Sequence, residues 1–308
     1  MLLRSAATLG RHAPLLLAAG VFIGLIFPAL AQYARPLLTP AVFLMLTASL
    51  IRLDPREVAA KVRQPLRLGL LTAWYLAGAP VLMAVAVTLL DLPEGLRQAM
   101  IVQAASPPLL SSPAMALVMG FDAALALVAM LLATLVHPFT VPPVVGVLIG
   151  IDLQLSVGGL MLRLALLVAG AGALAMLGRR ILGPARLAGA APQLDLAIVA
   201  LMIVFAIAIM DGVAARIAED PARVGLWVAG AFAANLLLQG AGLLVFLPLE
   251  PAARGTVMMA SGNRNMALVV AALGPAAGPD LLLFFAVGQF PIYLLPALLK
   301  PVYRRLAG

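Results

Sequence analysis

Met258-Met259-Ala260-Ser261-Gly262-Asn263-Arg264-Asn265-Met266-Ala267-Leu268 lies inside an apolar run from Arg254 to Gly274. At about 1.5 Å of helix rise per residue, Arg264 falls roughly 15 Å from either end of that run, the midplane of a hydrocarbon core about 30 Å thick. A side chain charged at any ordinary pH costs at least about 2.5–3.5 kcal/mol at that depth. Gly262 and its polar neighbours stand where a plain membrane helix carries leucine. Compensation comes from a packed partner or a water-filled cavity, so the stretch reads as a functional site.

The surrounding chain has the composition that such a site needs. Its 308 residues are 64% hydrophobic and 10% charged, with a mean hydropathy of +1.12, against about 25% charged residues in soluble domains. Ten apolar segments can be laid out, at 13–30, 37–51, 66–90, 98–119, 123–149, 158–177, 194–211, 222–246, 254–273 and 280–299. Each is long enough, or nearly so, to span a bilayer. The loops between them leave no room for a soluble domain, so the function must lie within the membrane. Arg4 and Arg11 precede the first apolar run, which continues past the length of a signal-peptide core and reads as the first span.

The net charge of +8 does not call for nucleic acid, because the basic residues are scattered through short loops. With the N-terminus cytoplasmic, fourteen Lys and Arg fall on the cytoplasmic side and four (Arg35, Arg97, Arg216 and Arg223) on the other, leaving Arg163 and Arg264 inside spans. The positive-inside rule then puts both termini in the cytoplasm. The expected location is a bacterial inner (plasma) membrane, with the lipid bilayer as the large partner.

A second unusual stretch is Gln103-Ala104-Ala105-Ser106-Pro107-Pro108-Leu109-Leu110-Ser111-Ser112-Pro113-Ala114. Three prolines in seven residues disfavour a continuous helix, so the fourth span should break near Leu110. Unwound backbone at that depth is tolerated only when buried in protein or lining a cavity. The fourth of the first five spans and the fourth of the second five thus both carry an interruption. His137-Pro138 in the fifth span and Gln289-Phe290-Pro291 in the tenth also correspond. Since five is odd, the second half enters the membrane from the opposite side, the inverted-repeat arrangement of secondary transporters. The fold expected is all-α: ten transmembrane helices in two inverted five-helix repeats, 11–150 and 157–304, with broken crossing helices 4 and 9.

Half-helix N-termini favour anions, and the Arg264 guanidinium suits a carboxylate, sulfate or phosphate. No Asp or Glu lies deep in a span; Asp122, Asp152, Glu250 and Asp280 all sit in turns. The reading is a carrier of a small organic anion working by alternating access. Its candidate binding residues are Ser111, Ser112, Ser261, Asn263, Arg264 and Asn265, with His137 and Gln289 as the polar pair before the two prolines. Elsewhere, Pro80 should kink the third span, Tyr75 either lines a cavity or packs, and Arg163 should snorkel to the interface. Asn235 and Gln239 share a helical face and are expected to bond across to the ninth span.

At these residues the chain resembles the bile acid:sodium symporter family along essentially its whole length. The resemblance rests on Arg63-Gln64-Pro65 before the third span, the broken fourth span ending in Gly120-Phe121-Asp122, Gly262-Asn263-Arg264-Asn265, and Gln289-Phe290-Pro291. It implies a core of spans 3–5 and 8–10, in which helices 4 and 9 cross, and a panel of spans 1, 2, 6 and 7, together one membrane domain over 1–308. It also implies sodium sites, and here the sequence departs. Family members that couple to sodium carry Glu where this chain has Ala260 and Gln where it has Arg264. Their Ser-Asn pair is met by Ser112-Pro113, two hydroxyl positions by Ala126 and Met130, and a glutamine position falls near Tyr75. No metal site and no cofactor is expected. Sodium coupling is left open, as weakened or absent, with Arg264 standing where sodium would supply positive charge.

Other classes have less support. An intramembrane enzyme needs a catalytic group, and the chain has no cysteine, no HExxH, no GxSxG and no deep carboxylate pair. A channel needs a polar stripe along several helices, whereas the polar residues cluster at one depth. Auxin-efflux-type and arsenite-permease-like carriers, which share the implied fold, are the alternative, although the latter are expected to use a membrane thiol. The structural alternative is an inert bundle in which Arg264 pairs with Asn235 or Gln239.

Overall fold

A computed structural model describes residues 13–51, 64–149 and 156–307. Arg4, Arg11, Asp152 and most of the basic loop expected from Arg52 to Arg67 lie outside the described residues. Among the described residues the chain is helical throughout, with no β-strand beyond one isolated backbone bridge. The elements are α1 (Ala13–Ile26), α2 (Pro28–Ala34), α3 (Leu38–Ile51), α4 (Pro65–Ala73), α5 (Ala79–Thr88), α6 (Glu94–Ala105), α7 (Ser112–Met119), α8 (Ala123–Ile149) and α9 (Val157–Gly189). They continue with α10 (Ala191–Ala208), α11 (Val213–Glu219), α12 (Pro221–Val245), α13 (Pro251–Gly262), α14 (Ala267–Leu273), α15 (Pro279–Val287), α16 (Gln289–Leu298) and α17 (Lys300–Ala307). Among the described residues, seven helical stretches are long and apolar enough to cross a membrane: Pro28–Ile51, Pro65–Thr88, Ala123–Leu148, Val157–Gly183, Ala191–Glu219, Pro221–Val245 and Pro279–Leu298. The chain is a helical membrane protein.

Three of the ten expected spans are not among these seven. For the first, the described residues begin at Ala13 and its helix runs to Ile26; Phe27, ahead of Pro28, leaves the helical region (φ −117°, ψ 75°), and residues 28–30 start the next helix. In the fourth, α6 stops at Ala105 and α7 starts at Ser112. In the ninth, α13 stops at Gly262 and α14 starts at Ala267.

The chain divides into two compact units. The first joins residues up to Leu53 with Leu166–Val224. Within it α10 packs along α1, α2 and α3. Close approach is set by glycines: a Cβ on Gly24 would lie 2.7 Å from the Met210 Cβ and 2.8 Å from the Ile207 carbonyl oxygen. Arg35, expected in a loop, sits in a 3-10 turn and pairs with Asp211 at 2.7 Å.

The second unit joins Asp54–Ala165 with Gly225–Gly308. Its core gathers Leu71, Tyr75 and Leu76 with Val128, Ala129, Ala133, Val257 and Ala260, all but removed from solvent. A smaller cluster sets Ala116, Phe121 and Ala126 against Met258, Met259 and Tyr303. The link from α7 to α8 is fixed locally. Gly120 takes φ +78°, the Phe121 N–H donates to the Ala116 carbonyl (2.8 Å) and the Gly120 N–H to that of Leu117 (3.2 Å), a Schellman close. The Asp122 carboxylate then accepts from the Leu125 N–H at 2.9 Å and caps α8.

Candidate functional site

The two interrupted stretches meet within the second unit. Pro108 and Arg264 form the antiparallel bridge. The Leu109 N–H donates to the Asn263 carbonyl (3.0 Å) and the Asn265 N–H to that of Pro107 (2.8 Å). Each break thus satisfies part of the other, which removes the cost of exposing unpaired peptide groups at membrane depth.

Arg264 is 1% exposed, and its partners are backbone carbonyls rather than carboxylates. The Nε atom donates to Ser261 (2.6 Å), and Nη1 donates to both Ser106 (3.0 Å) and Tyr75 (3.2 Å). Each of those oxygens is free for an identifiable reason. In an unbroken helix the Ser261 carbonyl would accept from Asn265, whose N–H has gone to Pro107 instead. The Ser106 carbonyl is released where α6 ends ahead of Pro107 and Pro108.

The Tyr75 carbonyl is released by Pro80. Trp74–Gly78 form a π-helical turn in which the Ala79 N–H reaches back five residues to the Trp74 carbonyl. In that register Tyr75 would be paired by residue 80, which is proline and has no N–H. The expected kink in the third span is therefore a widened turn that points a spare acceptor at the guanidinium. Two of the three acceptors lie in or just beyond the C-terminal ends of half-helices, where the partial negative charge of the peptide dipoles favours a cation. The Tyr75 ring adds to this, with the guanidinium carbon 5.2 Å from its centroid. Of its nitrogens, only Nη2 lacks a partner.

Asn235 and Gln239 do not pair with Arg264. The Asn235 Nδ2 donates to the Gly262 carbonyl (3.0 Å) and to the Asn263 Oδ1 (3.1 Å), and the Gln239 Nε2 donates to the Asn235 Oδ1 (2.6 Å). Both residues thus bond toward the ninth-span stretch, Asn235 directly and Gln239 through it. Gly262 permits this approach, since a Cβ there would lie 2.5 Å from the Asn235 Oδ1 and 2.7 Å from its carbonyl oxygen.

Among the candidate residues, Ser261, Asn263, Arg264 and Asn265 come together with Ser106–Leu109 at the crossing. Ser261 donates to the Val257 carbonyl (2.7 Å) and accepts from the Trp74 indole N–H (2.8 Å). Ser112 is buried with its Oγ unpartnered. Ser111 is exposed, its hydroxyl 3.7 Å from the Met115 sulfur. No hydrogen bond among the described residues ties His137 or Gln289 to the crossing. Gln289 donates to the Phe285 carbonyl (3.1 Å), and His137 is fully buried with both ring nitrogens unpartnered. Arg163 reaches the Ala272 carbonyl at 3.5 Å.

Trp74, the Tyr75 carbonyl and Tyr303 complete the arrangement, and the sequence pattern singles out none of them for it. Tyr303 stands beyond the last span and donates to the Gln239 Oε1 at 2.6 Å. An apolar cavity of about 480 Å³ between α4 and α8, lined by residues including Leu68, Thr72, Leu76, Leu132 and Val136, contains none of the candidates. A more polar one of about 280 Å³ is lined by residues including Gln98, Val102, Val269 and Asp280, from α6, α14 and α15, and contains none of the candidates either. Comparison with the models of known protein families and with curated proteins gives no match.

Proposed function

We propose that this chain is a secondary transporter of a small organic anion, similar to the bile acid:sodium symporters, in which Arg264 is a built-in cation and sodium coupling is weak or absent. The proposed architecture is ten spans in two inverted repeats, with both termini cytoplasmic and alternating access to a site at the crossing of the fourth and ninth spans. The observation that carries this reading is the set of three backbone carbonyls, each freed by a helix break, converging on one guanidinium. Unwound carbonyls and half-helix C-terminal ends are what hold a coupling cation in transporters with broken helices. A guanidinium fixed in such a nest supplies the positive charge continuously and requires no ion from solution. That charge favours an anion at the crossing, with Arg264 Nη2, Asn263 Nδ2 and Ser112 Oγ as the donors left for it.

The test is uptake into proteoliposomes of a radiolabelled panel of monocarboxylates, dicarboxylates, a sulfonate and cholate, with sodium and then choline as the only cation. Saturable uptake of a panel member at the same rate in both, lost in Arg264→Gln, is the expected result. Uptake that stops when sodium is removed would overturn the built-in cation. Equal uptake by Arg264→Gln would overturn its role in transport.

A further inference from the structure

We infer that Tyr303 is a positioning residue for the crossing, setting through a directed chain of hydrogen bonds which face of the Asn263 amide is offered to a ligand; this rests on the transport reading above. The direction of the chain follows from one fixed point. The Gly262 carbonyl can only accept, so the Asn235 amide must present Nδ2 to it, and that same nitrogen donates to the Asn263 Oδ1. Asn235 then has its oxygen toward Gln239 and accepts from Nε2, which leaves the Gln239 Oε1 facing Tyr303. An oxygen there needs a donor, and the Tyr303 hydroxyl is the one that reaches it. Four side chains, Asn235 and Gln239 of α12, Asn263 just past α13 and Tyr303 of α17, are thereby locked in one polarity. The Asn263 oxygen is capped, and its Nδ2 is left buried and unpartnered, as is the Nη2 of Arg264, the next residue in the break.

The packing makes this more than an incidental contact. Helix α17 lies against both α13 and α7, the half-helices on the same side of the two breaks. The Tyr303 ring, 1% exposed, meets the edge of Phe121 at 5.8 Å. Without the hydroxyl, the Gln239 oxygen is buried with no donor. Turning that amide over would oppose its nitrogen's former acceptor with an oxygen, and turning Asn235 to match would abandon the Gly262 carbonyl. No rearrangement satisfies all the groups, so the loss falls on the orientation of Asn263.

Tyr303→Phe keeps the ring and removes only the hydroxyl. In the proteoliposome assay with radiolabelled cholate, KM is expected to rise about tenfold, the effect of one buried hydrogen bond, with Vmax within about twofold of wild type. A merely structural role would lower Vmax through the amount of folded carrier and leave KM alone, and that result would overturn the inference. Gln239→Leu should show the same KM, and the Tyr303→Phe/Gln239→Leu double variant should be no worse than either. Additive effects would mean that Tyr303 acts by another route and would also overturn it. If wild type takes up no cholate, backbone hydrogen exchange of peptides covering 103–112 and 261–268 decides the matter independently of transport. Exchange at Leu109 and Asn265 about tenfold faster in Tyr303→Phe is expected, and unchanged exchange would refute the relay whatever the protein carries.

Discussion

Replacing Arg264 by methionine tests the central claim that the guanidinium is held by the breaks and also holds them together. Methionine keeps a long unbranched side chain and removes the charge and every donor, so the packing change is small. The three acceptors are peptide carbonyls, at 2.6, 3.0 and 3.2 Å, and cannot be mutated away with the arginine. Hydrogen bonds to a charged group contribute about 1.5–3 kcal/mol each, so three contribute roughly 4.5–9 kcal/mol. Relief of the cost of a charge at the midplane offsets about 2.5–3.5 kcal/mol of that. The net destabilisation is about 1–6.5 kcal/mol; a central value near 4 kcal/mol, at about 2–4 °C per kcal/mol for larger domains, lowers the melting temperature by roughly 8–16 °C. Detergent-solubilised protein can be followed by intrinsic fluorescence at a fixed scan rate, because both tryptophans, Trp74 and Trp227, belong to the unit that contains the crossing. Arg264→Lys, which keeps the charge but not the planar fork, should fall between the two. A methionine variant that melts at or above wild type would refute the reasoning, since the carbonyls would then have other donors and the charge would be only a burden.

Two further outcomes follow from the same geometry. Pro80→Ala restores an N–H that competes for the Tyr75 carbonyl; the π turn should relax, moving the Trp74 indole off Ser261 and shifting its emission in a Trp227→Phe background, whereas an unchanged spectrum would mean that proline does not set the turn. Gly262→Ala should destabilise by about 1–3 kcal/mol through overpacking on Asn235 and Gln239, while Gly69→Ala, whose added Cβ meets nothing within 4 Å, should stabilise by about 0.5–1 kcal/mol as expected in a helix interior; equal melting temperatures for the pair would contradict the close approach of α12 to α13.

The sequence by itself determined that the chain is a helical membrane protein and where two of its helices, those before Ser112 and Ala267, are interrupted. Hydropathy counts residues along one dimension, and a bilayer constrains that dimension directly, so most span boundaries were legible to within a few residues. Proline acts on its own turn and the residue before it. The break before Ser112 is therefore legible from Pro107 and Pro108, whereas proline alone does not decide the outcome: Pro28 ends a helix at Phe27 inside a span expected over 13–30, and Pro138, Pro142 and Pro143 lie within the continuous α8. That Arg264 needs compensation is also legible, because a charge deep within a long apolar run is costly wherever its partners come from.

Only the tertiary structure decided what the compensation is. The sequence leaves the compensation open between a packed partner and a water-filled cavity, with Asn235 and Gln239 as partners only in the inert-bundle alternative; the partners are three carbonyls from positions 75, 106 and 261. A carbonyl carries no residue identity, and whether it is free depends on which N–H elsewhere has been diverted. The Ser261 oxygen is free because Asn265 bonds to Pro107, more than 150 residues away in the chain. Tyr303 joins the network for the same kind of reason: nothing local to α17 reveals that its hydroxyl ends a chain that begins at Gly262. Periodicity and proline chemistry placed the interruptions, and the pairing of one interruption with the other, a property of neither alone, placed the charge.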